Sequence, residues 1–170
     1  MTTSPPRVLL VGPAAEARER LGGQVEAEGF VVEMVVGGDE GMVKLRAGPF
    51  DLVMVDAPGS GAEGQRFLET LRKDAKLASV PVIAVAAGDD VESISRWLEL
   101  GADDHLPRVS SPAMLRARLR AALDRRRLRD AEGLTREMAV ARSIQQDFLP
   151  ESLPVTRGVE LAAALHPARE

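Results

Sequence analysis

Phe50-Asp51-Leu52-Val53-Met54-Val55-Asp56 is the stretch that decides the fold of this chain. Its four consecutive apolar residues are typical of a strand buried on both faces, as in a parallel sheet covered by helices. Asp56 follows at once and is expected at the carboxyl end of that strand, where open α/β sheets build their sites. The alternative is that Asp56 begins a turn or caps the next helix, two positions that aspartate favours.

Strands and helices are predicted to alternate along the rest of the chain. The other strands are expected at 7–11, 30–36, 81–86 and about 104–106, and the helices at 14–28, from the cap Asp39 to Gly48, at 64–74, from Asp89 to Gly101 and from Pro112 onward. Such alternation implies parallel strands joined by right-handed crossovers. We expect an α/β fold with a five-stranded, doubly wound, flavodoxin-like sheet of order 2-1-3-4-5 and a long C-terminal helix, and Asp56 at the switch point of the sheet.

Composition excludes several classes of protein and site. The 170 residues are 45% hydrophobic and 28% charged, an ordinary mixture for a soluble globular chain. A net charge of −4 argues against a nucleic-acid partner, and the absence of cysteine excludes disulfides and zinc thiolates. No signal sequence and no membrane-spanning apolar run is present, so we expect a cytoplasmic protein without a membrane partner.

Three blocks of the sequence are specific: Gly48-Pro49-Phe50-Asp51-Leu52-Val53-Met54-Val55-Asp56, Val80-Pro81-Val82-Ile83 and Gly101-Ala102-Asp103-Asp104. With these blocks, the sequence from Arg7 to about Arg127 resembles the receiver domain of bacterial two-component response regulators. The resemblance implies that Asp56 accepts a phosphoryl group from a histidine kinase. It also implies that phosphorylation changes the face built by helix four, strand five and helix five.

The metal-binding part departs from that family pattern. Where the family has an acidic pair that holds Mg²⁺, this chain has Gly12 and Pro13. Asp56 is then the obvious remaining carboxylate for a metal, and the carbonyl of Pro58 could assist it. Because Mg²⁺ usually needs one or two carboxylates together with waters and phosphate, we expect Mg²⁺ binding to be possible but weak.

The switch positions depart as well. Ala86 stands where the family has a Ser or Thr that bonds the phosphoryl oxygen, and Arg108 and Val109 replace a lysine and a proline. Arg108 could pair with Asp56 and mimic one fixed state. His105 occupies the aromatic switch position, although a lone histidine on an edge strand is more often a surface residue. We therefore expect a pseudo-receiver with weak or no phosphorylation; the alternative is a conventional receiver phosphorylated on Asp56.

Seven arginines lie between Arg116 and Arg129. A charge run of this kind is usually a solvated helix face. The alternative is that these arginines bind DNA and the protein is a DNA-binding regulator. The run is the single feature that suggests this function, and we expect no nucleic-acid partner.

A heptad-like apolar seam follows the arginines. Its 4-3-4-3 spacing joins Leu134, Met138, Ala141, Gln145 and Phe148. Leu123 lies eleven residues before Leu134 and extends the stripe on an eleven-residue period. We predict one helix from about Pro112 to Phe148 that forms a parallel homodimer.

The segment 139–150 resembles the lead-in of a bacterial PPM-type serine/threonine phosphatase, and the blocks 153–154, 159–161 and 167–170 extend that resemblance. The family's metal-binding motif would follow beyond Glu170, so no catalytic residue is assigned and this chain is not expected to be an enzyme. The alternative is a C-terminal tail whose sequence resembles that family by chance. The expected organisation is a receiver domain at 7–127, a coiled-coil-like helical linker at 128–149 and the truncated start of a phosphatase domain at 150–170, with the receiver regulating that attached phosphatase.

Overall fold

The computed structural model describes residues 4–56, 61–86 and 91–147, with side chains as far as residue 140. Pro58 and Phe148, two residues singled out above, lie outside these ranges. Ala141 lies in a described helix, but its side chain is outside the description.

Five parallel strands form the sheet. They are β1 (Arg7–Val11), β2 (Val31–Val35), β3 (Leu52–Asp56), β4 (Val82–Ala86) and β5 (Asp104–Pro107). Their order is β2-β1-β3-β4-β5, which confirms the predicted doubly wound, flavodoxin-like topology. All five residues of β3 are buried, as its apolar run predicts for a central strand.

Five helices connect and follow the strands. They are α1 (Ala15–Ala27), α2 (Gly38–Ala47), α3 (Ala62–Lys73), α4 (Val91–Glu99) and α5 (Pro112–Asp147). The long C-terminal helix is confirmed at 36 residues. The predicted cap of the second helix is wrong: Gly37 is the N-cap of α2, and Asp39 lies in the first turn.

Two apolar layers cover the two faces of the sheet. Leu21 and Val25 of α1 and Leu115 and Leu119 of α5 belong to one layer, together with alternate residues of the strands. The other layer brings α2, α3 and α4 onto the opposite face; its helix residues are Met42, Leu45, Phe67, Leu68, Leu71 and Trp97. This arrangement leaves the carboxyl ends of the strands free of helices, as the doubly wound fold requires.

Glycines follow the ends of two helices. Gly29 follows α1 with a φ of 89°, and Gly101 follows α4 with a φ of 101°. Both lie in the left-handed region, which favours glycine because it has no Cβ.

The spacing of Val91, Ile94, Trp97 and Leu98 predicts that these four residues of α4 face inward, and this prediction is partly wrong. Trp97 is 2% exposed, but Val91 and Leu98 are 74% and 45% exposed. The helix therefore fixes itself to the sheet mainly through one large aromatic side chain.

The arginine run of α5 is more than a solvated face, because five of its members form ion pairs with acidic residues of the domain. The pairs are Arg116–Glu28, Arg118–Asp104, Arg125–Asp104, Arg126–Asp51 and Arg129–Asp103. These acids lie just before β2, β3 and β5 or at the start of β5, at the amino-terminal edge of the sheet. These ion pairs therefore hold α5 at the amino-terminal edge of the sheet, and Asp56 lies at the opposite, carboxyl-terminal edge.

The chain divides into two compact units, Met1–Asp130 and Ala131–Glu170. In the first, Leu123 is half-buried. In the second, Leu134 and Met138 are 59% and 51% exposed. Within the described residues, no helix is long and apolar enough to cross a bilayer.

Candidate functional site

Asp56 is the last residue of β3, the central strand. Neighbouring residues of β1 and β4 pair with β3 on either side, so the carboxylate stands where the sheet reverses its winding. The residue is 3% exposed. A buried carboxylate is stable only when it is paired or hydrogen-bonded, so its partners decide what the site can do.

Arg108 pairs with one oxygen of Asp56. Its Nε lies 3.0 Å and its Nη2 2.6 Å from Oδ1. The backbone N–H of Arg108 donates to the carbonyl oxygen of Ala86 at 2.9 Å, which fixes the residue after β5 beside the end of β4. The guanidinium therefore gives a charge-assisted contact to a desolvated carboxylate.

The second oxygen, Oδ2, accepts no hydrogen bond from the described part of the chain. It faces Gly12: a Cβ added to Gly12 would lie 3.6 Å from Oδ2 and only 2.9 Å from the Cβ of Asp56. Residue 12 is therefore a position where a close approach of two backbones requires glycine. Arg18 of α1 holds the loop by donating to the carbonyl oxygen of Gly12.

The residues present do not fit a Mg²⁺ ion of the kind that the family resemblance implies. Gly12 and Pro13 supply no carboxylate, and the described residues contain no group of three or more His, Cys, Asp or Glu side chains placed to hold a metal. Mg²⁺ dehydrates reluctantly and demands near-octahedral oxygen ligands, for which a single carboxylate oxygen is a poor basis.

Ala86 ends β4 and lies opposite Pro107 of β5. Its methyl group offers no hydroxyl for an oxyanion bound at Asp56. His105 lies two residues before Pro107 on β5, opposite Ala84 of β4, and is 9% exposed. The expectation of a surface histidine is therefore wrong: the ring is buried at the edge strand.

A cavity of about 340 Å³ opens beside Asp56, between the β1–α1 loop and the first turns of α2 and α3. Gly12 and Pro13 line one side of it, and Gly37, Gly61 and Gly64 line others. Among the described residues, the charged ones that line it, besides Asp56, are Glu63 and Arg66.

The structure brings together Asp56, Arg108, Ala86, Gly12 and Pro13, all of which were predicted from the sequence to flank the site. The cavity-lining residues Gly37 and Arg66 were not predicted, whereas Glu63 belongs to the glycine-rich segment 57–64, whose composition predicts a loop that flanks the site. That segment indicates where the cavity lies but does not identify the loop after β2 that also lines it.

Comparison with known proteins agrees with the geometry. Residues 8–120 match the family described as response regulator receiver domain. Response regulator PleD of Caulobacter vibrioides is 35% identical over 126 residues, which are 73% of this chain and 27% of PleD. The transcriptional regulatory protein CpxR homolog of Haemophilus influenzae is 38% identical over 120 residues, which are 70% of this chain and 51% of that protein. The chain thus spans between about a quarter and a half of the length of these two relatives.

Solved structures show the same fold. The receiver domain protein (CheY-like) of Methanospirillum hungatei JF-1 matches with a TM-score of 0.65 and 25% identity, over 74% of this chain and 99% of that one. Chemotaxis response regulator CheY4 of Vibrio cholerae matches with a TM-score of 0.63 and 21% identity, over 70% and 99% of the two chains. Since the family match extends from β1 into α5 and the sheet has the expected order, this chain belongs to the response regulator receiver domain family.

Proposed function

We propose that this chain is an atypical receiver, a cytoplasmic two-component signalling module with weak or no phosphorylation of Asp56. In this proposal it dimerises through its C-terminal helix and regulates an attached serine/threonine phosphatase. The chain itself carries no catalytic residue, and neither a nucleic acid nor a membrane is among its partners.

The observation that carries the proposal is the ion pair of Asp56 with Arg108. Both guanidinium contacts, at 3.0 and 2.6 Å, go to Oδ1, so a cation already holds one oxygen of the acceptor carboxylate. A carboxylate stabilised in this way is a weaker nucleophile, because the attack on a phosphoryl donor must give up part of that stabilisation.

Weak charge neutralisation supports the same conclusion. Phosphoryl transfer depends mainly on positioning and on neutralising the charge of the transferred group. A unit charge pair about 4 Å apart, at an effective dielectric constant of about 20, is worth about 4 kcal/mol before desolvation. Replacement of two carboxylates by Gly12 and Pro13 therefore removes several kcal/mol of metal binding.

Beryllofluoride with Mg²⁺, a mimic of the phosphoryl group, tests this part. In isothermal titration of the whole chain we expect no saturable heat, and the same trace from Asp56→Asn. Saturable binding by the whole chain that disappears in Asp56→Asn would contradict the proposal.

The alternative is a conventional receiver that a histidine kinase phosphorylates on Asp56. The observation that favours it is Oδ2, which accepts no hydrogen bond from the described residues, in a side chain that helps to line a cavity. Incubation with acetyl phosphate, followed by intact mass measurement, separates the two functions. Our proposal predicts an unmodified chain, and an acid-labile phosphate that is absent from Asp56→Asn would support the alternative.

The exposure of Leu134 and Met138 supports the dimer. These side chains lie four residues apart on one face of α5 and are both more than half exposed. An apolar seam of this kind on a helix is buried most simply against a second copy of itself.

Sedimentation of the full chain tests the dimer. The change Leu134→Glu with Met138→Glu should convert a dimer to a monomer, because it places like charges in the seam. Val140→Glu is the matched control, since Val140 is 55% exposed but lies off the seam, and it should remain dimeric. A monomeric wild-type chain would contradict this part of the proposal.

The phosphatase part rests on the sequence resemblance of 139–150 and the blocks after it, of which residues from 148 onward lie outside the described ranges. Its test is the hydrolysis of a phosphoserine peptide by the longer parent protein, with and without residues 1–130. We expect hydrolysis whose rate changes when those residues are removed. An unchanged rate would contradict regulation, and the absence of hydrolysis would contradict the output domain.

A further inference from the structure

We propose that a second cavity, at the amino-terminal edge of the sheet, binds a nucleoside monophosphate. This α5 cavity has a volume of about 310 Å³ and is lined by residues just before β1 and β2 and by residues of α5. Asp56 lies at the opposite edge of the sheet, so the inference goes beyond the proposed function and does not depend on phosphorylation.

The first argument is a pair of arginines that no acidic residue elsewhere in the domain holds. Five of the seven arginines between Arg116 and Arg129 form ion pairs with such acids. The two that remain are Arg120, which makes no ion pair within the described part of the chain, and Arg127, which meets only Asp124 of its own helix. Both line the α5 cavity. Guanidinium groups suit phosphate because their planar donors match its oxygens.

The second argument is the charge of the cavity wall. Three arginines and two acidic residues line it, a net formal charge of +1. Both oxygens of Glu28 are already bound, because Arg116 donates to them at 2.5 and 3.1 Å. The contact of Asp124 with Arg127 spans 3.6 Å between side chains that are 69% and 77% exposed, and a pair of this kind is weak. Arg127 can therefore exchange Asp124 for a phosphate.

The third argument is the apolar part of the same wall. Pro6, Phe30 and Leu123 line the cavity together with the arginines. Phe30 is half-buried and packs against the apolar layer that α1 and α5 form on the sheet, which fixes its position. A flat base can stack on an aromatic side chain held in this way, whereas a bare phosphate gains nothing from it.

The size of the cavity fits the same class of ligand. Its volume of about 310 Å³ is at the small end of the range of about 300–1,000 Å³ that is usual for ligand pockets. A single nucleotide, with one base and one phosphate, therefore suits it better than a longer chain of nucleotides.

Isothermal titration of the whole chain with three probes tests the proposal. AMP carries both parts of the expected ligand, adenosine lacks the phosphate and ribose 5-phosphate lacks the base. We expect saturable heat with AMP and binding at least about tenfold weaker with each of the other two, since each leaves part of the wall unused. The absence of saturable heat with AMP, or equal binding of AMP and either other probe, overturns the proposal.

A substitution on α5 locates the binding. Arg120→Gln removes a cation from the α5 cavity, so AMP should bind at least about tenfold more weakly. Arg136→Gln is the matched control: Arg136 is another exposed arginine of the same helix but does not line the cavity, so AMP should bind as it does to the wild type. Equal AMP binding by Arg120→Gln and the wild type overturns the placement of the ligand.

Phe30→Leu tests the stacking of the base. Leucine keeps an apolar side chain at the wall and removes the aromatic ring, so the preference for AMP over ribose 5-phosphate should fall at least about threefold. The affinity for ribose 5-phosphate should stay unchanged, which shows that the variant is folded. An unchanged preference in the folded variant overturns the role of Phe30 and with it the aromatic part of the ligand.

Discussion

Asp56 has two carboxylate oxygens in different surroundings, and that difference is the main result at the scale of single residues. Oδ1 accepts from Arg108, whereas Oδ2 lies near Gly12 and accepts no hydrogen bond from the described residues. The identity of the site residue could be predicted because Asp56 follows an apolar strand, and its pairing with Arg108 because the resemblance places a cation at position 108. The difference between the surroundings of Oδ1 and Oδ2 could not be predicted, because it depends on interatomic distances that differ by a few tenths of an ångström.

Gly12 gives the first prediction at this scale. Gly12→Ala should lower the free energy of unfolding by about 1–3 kcal/mol, because its Cβ would lie 2.9 Å from the Cβ of Asp56 and 3.2 Å from its carbonyl oxygen. Urea unfolding measures the change. Gly23→Ala is the control: this exposed glycine of α1 has no atom within 4 Å of an added Cβ, so alanine should raise stability by about 0.5–1 kcal/mol. Equal effects at the two positions would contradict the prediction.

Arg108 gives the second. Arg108→Ala should destabilise the domain by about 3 kcal/mol, because it leaves Asp56 as a buried charge without its cation. Asp56→Asn should be milder, since Arg108 is 24% exposed and can turn its charge toward water. Urea unfolding at neutral pH measures the stability of both variants. If Arg108→Ala were the more stable of the two, the ion pair would not be the interaction that stabilises the buried Asp56.

At the scale of elements, the sequence predicted all five strands and the full length of α5, because apolar runs and helical spacing are local signals. The orientation of α4 was predicted less well. Its apolar residues Val91, Trp97 and Leu98 are equally plausible as core from their spacing, and only the tertiary packing of Trp97 decides which face turns inward. The arginines of α5 were misjudged for a similar reason, since their partners come from distant strand starts.

One of those ion pairs predicts a dependence on pH. Arg116 donates to Glu28 and thereby holds the pKa of Glu28 below its usual value of 4.5. Because the pKa is lowered in the folded state, the stabilisation is present above pH 4.5 and is lost as the pH falls through the lowered value. Glu28→Gln should therefore lose less stability than the wild type on going from pH 7 to about pH 3.

Urea midpoints across this pH range measure that dependence. Glu26→Gln is the matched control: Glu26 is an exposed carboxylate near the same helix end, and within the described part of the chain the structure gives it no ion pair. An acid profile of Glu28→Gln identical to that of the wild type would contradict the role of Arg116.

At the scale of the whole molecule, the first compact unit extends to Asp130, and the receiver domain at 7–127 stays a prediction. The arginines account for the extent of this unit, because Arg129 pairs with Asp103 at 2.7 Å and Arg72 meets the same carboxylate at 2.9 Å. Burial lowers the pKa of Arg72, and the neighbouring Asp103 offsets that effect. Sequence periodicity alone cannot show how far along a continuous helix the ion pairs with the first unit extend.

Truncation tests this boundary. A chain that ends after Asp130 should keep the unfolding free energy of the first unit, whereas one that ends after Leu123 should lose about 1–2 kcal/mol with the contacts of Arg125, Arg126 and Arg129. Thermal and urea unfolding of the two chains measure the difference. Equal stability would show that the later arginines contribute nothing to the fold.

The close approach of Gly12 to Asp56 has a consequence for the history of such a domain. Any side chain at position 12 would collide with Asp56, so a mutation that places an acid there would lower stability at once. The loop after β1 would have to move before position 12 could accept a carboxylate. Substitution at this position is therefore limited by the space beside Asp56, and a change elsewhere in the loop has to come first.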